Sequence, residues 1–129
     1  MRISKNLLVL PITLALFGLL LAGCNTEMRR MVKKSKSKQI TDLDSAAVWF
    51  YQKKKYDRAL PLLEQLVPAT AGTDRQPELY YYYAWSRYMM GEMVSAAYYF
   101  EDFSNKFPAN EHAEECQYMV VKCYYRLSA

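Results

Sequence analysis

MVSAAYYF, at residues 93–100, repeats the pattern of YDRALPLL, at residues 56–63, and this repeat decides the fold. The two stretches align at an offset of 37 residues (93 minus 56), which places Ala59 opposite Ala96 and Leu63 opposite Phe100. A small residue at a helix crossing lets two backbones approach, and a large apolar residue nearby fills the seam between them. The repeat therefore predicts stacked antiparallel helical hairpins.

The pattern resembles the tetratricopeptide repeat, in which small residues lie where two helices cross and a Pro closes the unit. The first unit matches at Ala47, Phe50, Tyr56, Ala59 and Leu63, and the second at Ala84, Gly91, Ala96, Phe100, Phe103 and Pro108. A third unit begins with Ala113, Cys116, Met119, Val120 and Cys123. The resemblance implies an all-α solenoid of tetratricopeptide-like helical hairpins, with about two and a half repeats over residues 39–129.

Periodicity and turn residues predict five helices in this region. The first begins at Asp42 or Asp44 and runs to Lys55, and Pro61 is expected to remove one backbone hydrogen bond from the second. The other predicted bounds are 57–67, 77–90, 94–106 and 111 to the end, separated by a loop at 69–76, a break at Gly91 and a turn at 107–110.

The first 23 residues have the pattern of a signal peptide. A short basic region with Arg2 and Lys5 precedes an apolar run from Leu7 to Leu21, which is short for a membrane span. The run ends in Leu21-Ala22-Gly23-Cys24, which resembles the lipobox of bacterial lipoproteins. The resemblance implies cleavage before Cys24 and acylation of Cys24, which would attach the protein to a membrane. An uncleaved anchor or an ordinary secretory leader is the alternative.

Residues 24–38 are expected to form a lipidated Cys followed by a basic tether. The basic residues are Arg29, Arg30, Lys33, Lys34, Lys36 and Lys38. A flexible, solvated tether is the favoured interpretation, and contact with anionic headgroups is the alternative. From Gln39 onward the chain has 9 basic and 12 acidic residues, a balance of −3, which disfavours nucleic-acid binding.

Cys116 and Cys123 are seven residues apart in a predicted helix, so their Cα atoms would lie about 10.5 Å apart. A disulfide needs a separation below about 7 Å, so we expect two buried, unpaired thiols on one helix face. His112 is the single His, and no ligand cluster, phosphate-binding loop or nucleophile–base pair accompanies it. We therefore expect no metal, no cofactor and no catalysis.

Three stretches extend the resemblance to a particular family. They are residues 54–63 (KKYDRALPLL), residues 78–84 (ELYYYYA), and residues 96–100 (AAYYF) with the Phe107-Pro108 turn and Ala113-Glu114-Glu115 after it. Together with the lipobox and the basic tether, they resemble the N-terminal half of the outer-membrane assembly lipoprotein BamD. The resemblance implies a scaffold of the β-barrel assembly machinery, anchored at the periplasmic face of the outer membrane. Its partners would be other subunits of that machinery and unfolded outer-membrane proteins.

The first helix of each repeat is expected to line a peptide-binding groove. Transferring the groove positions of the repeat selects nine residues: Asp44, Val48, Tyr51, Tyr81, Trp85, Tyr88, Gln117, Val121 and Tyr124. An aromatic groove suits an extended peptide with aromatic side chains. The alternative is that many of these tyrosines simply pack between repeats.

The last predicted helix is rich in aromatic and apolar residues, whereas the terminal helix of a solenoid usually has a polar outer face. We therefore expect a fragment of a longer array, or a partner that covers this face. Two other functions use the same fold: a repeat lipoprotein that organises the cell envelope, linked to peptidoglycan, and a subunit of an enzyme.

Overall fold

A computed structural model describes the backbone of residues 6–129 and the side chains of residues 29–129. This part of the chain is all-α, with five helices: α1 (Asn6–Gln52), α2 (Tyr56–Ala69), α3 (Gln76–Met89), α4 (Met93–Lys106) and α5 (Ala113–Ser128). The predicted all-α fold of helical hairpins is confirmed. Ile40–Ala129 form one compact unit, and the described residues before Ile40 belong to another.

The repeat extends to the helix ends and the turns. The starts of α2 and α4 and those of α3 and α5 are each 37 residues apart, from 56 to 93 and from 76 to 113. The hairpin turns contain Lys54 and Gly91, both with positive φ, at +57° and +85°. The N–H of Lys54 donates to Tyr51 O at 2.9 Å, and the N–H of Gly91 donates to Tyr88 O at 3.0 Å. The two turns are thus the same structure in successive repeats.

Each hairpin is centred on a pair of alanines. Ala47 of α1 and Ala59 of α2 have no exposed surface, and the same holds for Ala84 of α3 and Ala96 of α4. Two apolar cores result. The first core contains Ala47, Ala59, Leu63, Leu66, Leu79 and Tyr83. The second contains Tyr80, Ala84, Tyr88, Met93, Ala96, Ala97, Phe100, Phe103, Cys116, Met119 and Cys123.

The helix α1 starts well before the predicted Asp42 or Asp44, so residues 29–38 are helical rather than irregular. The stretch lacks Gly and Pro and is rich in Lys, Arg and Met, which favour helices even where every side chain is solvated. Neither aspartate caps a helix, because both lie inside α1. The helix α2 continues through Pro61.

Cys116 and Cys123 are both free and fully buried, as expected. The lipobox residues Leu21, Ala22, Gly23 and Cys24 lie outside the residues whose side chains are described, so their predicted role stays a prediction. Within residues 29–129, no helix is both long enough and apolar enough to cross a membrane.

Candidate peptide-binding face

The first helices of successive repeats are joined by a recurring contact. Arg75, just before α3, donates from Nε and Nη2 to the carboxylate of Asp44 on α1, at 2.8 and 2.7 Å. It also donates to Glu78 in the first turn of α3. The hydrogen bond to Asp44 raises the pKa of Arg75 further, so the guanidinium stays charged. This bidentate ion pair fixes α1 against the start of α3.

The corresponding contact between α3 and α5 uses rings instead of charges. Tyr81 stacks on His112 with ring centroids 4.1 Å apart and 16° between the planes. Its hydroxyl donates to Glu115 Oε2 at 2.8 Å. Tyr81, His112 and Glu115 are the positions 37 residues after Asp44, Arg75 and Glu78 (81 minus 44, 112 minus 75, 115 minus 78). One junction position thus carries an ion pair in one repeat and an aromatic stack in the next.

A row of aromatic rings continues from these junctions. Tyr51 of α1 stacks on Tyr82 of α3 with centroids 4.2 Å apart, and Tyr82 lies 6.1 Å from Tyr81. Tyr81 meets Trp85 edge-on at 6.2 Å, and Trp85 meets Tyr88 edge-on at 5.6 Å. The rings hold one another in place, so an apolar ligand would meet surfaces that are already ordered.

Burial keeps the hydroxyls of this row protonated. It raises the pKa of Tyr82 to about 12, and the hydrogen bond from Tyr82 to Glu78 adds to the shift. Burial also raises the pKa values of Tyr51 and Tyr81, and the bond to Glu115 contributes at Tyr81. At neutral pH the hydroxyls of Tyr81 and Tyr82 therefore stay protonated and donate to Glu115 and Glu78, while the rings present apolar faces.

The predicted groove residues on α1 and α3 are mostly half-buried. Val48 and Tyr51 pack against the first core, and Tyr81 and Trp85 pack against the second. Tyr88 is only 7% exposed and belongs to the second core. The half-buried residues therefore pack between helices and also line the outer surface. Tyr88 mainly packs between helices.

The predicted residues on α5 are all exposed. Val121 is 67% exposed, Tyr124 is 57% exposed, and Gln117 is exposed as well. The repeat offset of 37 relates Tyr81, Trp85 and Tyr88 to Tyr118, Lys122 and Tyr125, one residue beyond the predicted set. Tyr118 and Tyr125 are 64% and 72% exposed, so the apolar face of α5 is wider than predicted.

The three first helices are therefore not equally open. On α3, the positions Ala84 and Tyr88 are covered by α4 in the second core. Their equivalents on α5 are Val121 and Tyr125, and no described residue covers them. This apolar face of α5 is the part of the candidate site with most accessible surface.

An open cavity of about 360 Å³ adjoins the second junction. It lies between the start of α3 and the turn before α5, with Tyr82 and His112 on its walls, and Asp74, Glu78 and Glu111 give it an acidic rim. A second cavity of about 340 Å³ lies between α2, α3 and α4. There the polar groups satisfy one another, because the Tyr80 hydroxyl and Lys106 both donate to Asp102.

Several contact residues were missed by the sequence prediction. Tyr82, His112 and Glu115 were not among the nine predicted positions, yet each contacts one of them. His112 lies 37 residues after Arg75, so the repeat offset selects it only once the contact of Arg75 with Asp44 is known. The stacking of Tyr51 on Tyr82 had no such signal, because it joins two helices 31 residues apart (82 minus 51).

No protein-family model matches the chain, and no curated protein is similar enough to count as a relative. Within residues 29–129, no three His, Cys, Asp or Glu side chains come together in a way that could hold a metal ion. The described surface at the junctions between repeats is instead lined by aromatic side chains.

Proposed function

We propose that the protein is a lipid-anchored scaffold of the outer-membrane β-barrel assembly machinery. Its body binds unfolded barrel substrates and partner subunits, and its anchor on Cys24 holds it at the periplasmic face of the outer membrane. The proposal includes no catalytic step. It rests on the resemblance carried by the sequence and on one structural observation, the row of ordered aromatic rings on α1 and α3. The repeat offset of 37 relates Tyr81 and Tyr88 of this row to Tyr118 and Tyr125 on α5.

The chemistry of this face suits such a substrate. A strand of a membrane β-barrel alternates apolar and polar side chains and carries aromatic residues at both ends of its apolar band. Tyr118, Val121 and Tyr125 offer apolar contacts on α5, and the carboxylates of Glu111 and Glu115 lie nearby in the chain. Tyrosines bind such segments at low entropic cost, because each has few rotatable bonds.

Photo-cross-linking tests where the substrate binds. A photoreactive phenylalanine analogue at the position of Tyr124 should cross-link to an unfolded barrel protein supplied in urea and then diluted. The same analogue at Tyr98 is the matched control, because Tyr98 lies on α4 and is 60% exposed, close to the 57% of Tyr124. Equal cross-linking at both positions would mean non-specific adhesion and would contradict the proposal.

Co-purification tests the assembly role independently. The acylated full chain should co-purify with a β-barrel membrane protein after mild detergent extraction. Recovery with peptidoglycan, and with no barrel protein, would instead support the role in cell-envelope organisation and reject the assembly role.

A further inference from the structure

Residues 29–38, which we call the basic helical segment, carry six positive charges and no acidic residue. They are helical, and every side chain among them is exposed. At 1.5 Å per residue, the six charges are spread over about 14 Å. None of the six forms a salt bridge among the residues whose side chains are described. In the body, Arg75, Arg87 and Lys106 are paired with carboxylates.

The charges form two rows along the helix. At 100° per residue, Arg29, Lys33 and Lys36 share one row, and Arg30, Lys34 and Lys38 share a second row about 130° away. The remaining face is uncharged and carries Met31, Val32, Ser35 and Gln39. Met31 and Val32 are 69% and 61% exposed, and Lys38 and Lys36 flank them on either side.

This arrangement matches a lipid surface better than a nucleic acid. A helix at a membrane interface directs apolar side chains towards the acyl chains, while flanking lysines extend to the phosphates. Nucleic acid would engage the two charged rows, but it gives Met31 and Val32 no apolar surface to contact. The body has a balance of −3, so within residues 29–129 the net positive charge is confined to this segment.

We propose that the basic helical segment binds the surface of a membrane through anionic phospholipid headgroups, with Met31 and Val32 facing the acyl chains. Lysine and arginine near such a surface are attracted by its negative potential. The segment would act beside the acyl chains of Cys24, but its binding requires neither acylation nor a role in barrel assembly. A failure of one proposal therefore leaves the other standing.

The test compares binding of the full chain to two kinds of vesicle. The Cys24→Ser chain is used so that no acyl group is present, with vesicles of phosphatidylcholine alone and vesicles that also contain phosphatidylglycerol. The measured quantity is the partition coefficient on vesicles that contain phosphatidylglycerol, divided by that on vesicles of phosphatidylcholine alone, at low salt. Every variant carries the Cys24→Ser change and is otherwise identical over residues 1–28. The contribution of these residues to binding therefore cancels when the ratio for one variant is compared with that for another.

The Lys33→Gln/Lys34→Gln/Lys36→Gln variant should reduce this ratio by about a hundredfold, since each charge near an anionic surface contributes about fivefold. Glutamine favours helices about as well as lysine, so the helix should persist. Replacing the same three lysines by arginine should retain binding. Raising the salt concentration should weaken it, because screening shortens the reach of each charge.

The matched control removes the same charge elsewhere. Lys53, Lys54 and Lys122 are exposed and lie outside the segment, so changing all three to glutamine should leave the ratio within about twofold. An equal loss in both triple variants would show that net charge acts rather than this helix, and would overturn the proposal. Equal binding of the unsubstituted chain to both vesicle types would also overturn it, as would tighter binding to duplex DNA than to the anionic vesicles.

Discussion

Exchanging the residues at the two hairpin turns tests the structural repeat most sharply. Lys54 and Gly91 occupy the same position in successive repeats, with φ of +57° and +85°. The left-handed conformation destabilises a residue that has a side chain by about 1–2 kcal/mol. Glycine adopts it without this steric cost, but glycine loses more backbone entropy on folding. We expect Lys54→Gly to stabilise the protein by about 0.5–1 kcal/mol.

The reverse change should cost more. The φ of Gly91 lies outside the range of about +50° to +70° that side-chain-bearing residues tolerate best. A Cβ placed there would meet no atom within 4 Å, so the cost is purely one of backbone conformation. We expect Gly91→Lys to destabilise the fold by about 1–2 kcal/mol. Gly91→Asn should cost less, since asparagine adopts positive φ more readily.

Urea unfolding followed by circular dichroism at 222 nm measures both effects. With an m-value of about 1–2 kcal/mol/M, Lys54→Gly should raise the midpoint by about 0.5 M without changing m. Lys53→Gly is the control, because it removes the same charge from the neighbouring residue without relieving a positive φ. If Lys54→Gly destabilised as much as Lys53→Gly, or if Gly91→Lys were neutral, the assignment of equivalent turns would be wrong.

Three further predictions concern pH, thiol reactivity and the first junction. The pKa of Tyr82 is raised by burial from 10 to about 12, so between these pH values the unfolded chain loses a proton that the folded chain retains. Stability should therefore fall as pH rises from about 10 towards 12, in step with tyrosine ionisation at 295 nm, and a flat profile there would contradict the burial of this ring. Cys116 and Cys123 should resist labelling by a maleimide at pH 8 until urea unfolds the chain, because both thiols are buried. Burial also raises the pKa of Cys116 to about 12, so little thiolate is present. Rapid labelling in native buffer would contradict this and show that α5 detaches from the core. A double-mutant cycle of Asp44→Asn and Arg75→Gln should give a coupling of about 0.5–1 kcal/mol by urea unfolding, and strict additivity would mean that the pair contributes nothing to the junction.

The helices of the body could be predicted from sequence because their signals are local. Alanines at the crossings, Gly91 at a turn and the Phe107-Pro108 pair each favour one conformation, and the predicted bounds lie within three residues of those of α2 to α5. The left-handed turn at Lys54 carried no such signal, since lysine has no preference for positive φ. Only alignment with Gly91 at the repeat offset marks it.

Two other features needed the structure. The basic segment was expected to be irregular because it is polar, but helix propensity depends on side-chain and backbone entropy rather than on burial. The predicted α5 positions Gln117, Val121 and Tyr124 are all exposed, and they lie one residue before the positions that the offset of 37 relates to Tyr81, Trp85 and Tyr88. The contacts that join repeats, such as Asp44 with Arg75, depend on three-dimensional packing and leave no trace in sequence spacing beyond the repeat itself.

The central claim is that the face of α5 binds unfolded barrel segments, and one affinity comparison tests it most directly. The full chain is titrated with a fluorescent peptide that has the alternating, aromatic-ended pattern of a membrane β-strand. The Val121→Ser/Tyr124→Ser variant is compared with Val94→Ser/Tyr98→Ser, in which the two valines are 67% and 68% exposed and the two tyrosines 57% and 60%. We predict that the variant on α5 weakens binding by about tenfold or more, and that the matched variant on α4 changes it by less than about twofold. Equal losses in the two variants, or no loss in either, would contradict the claim.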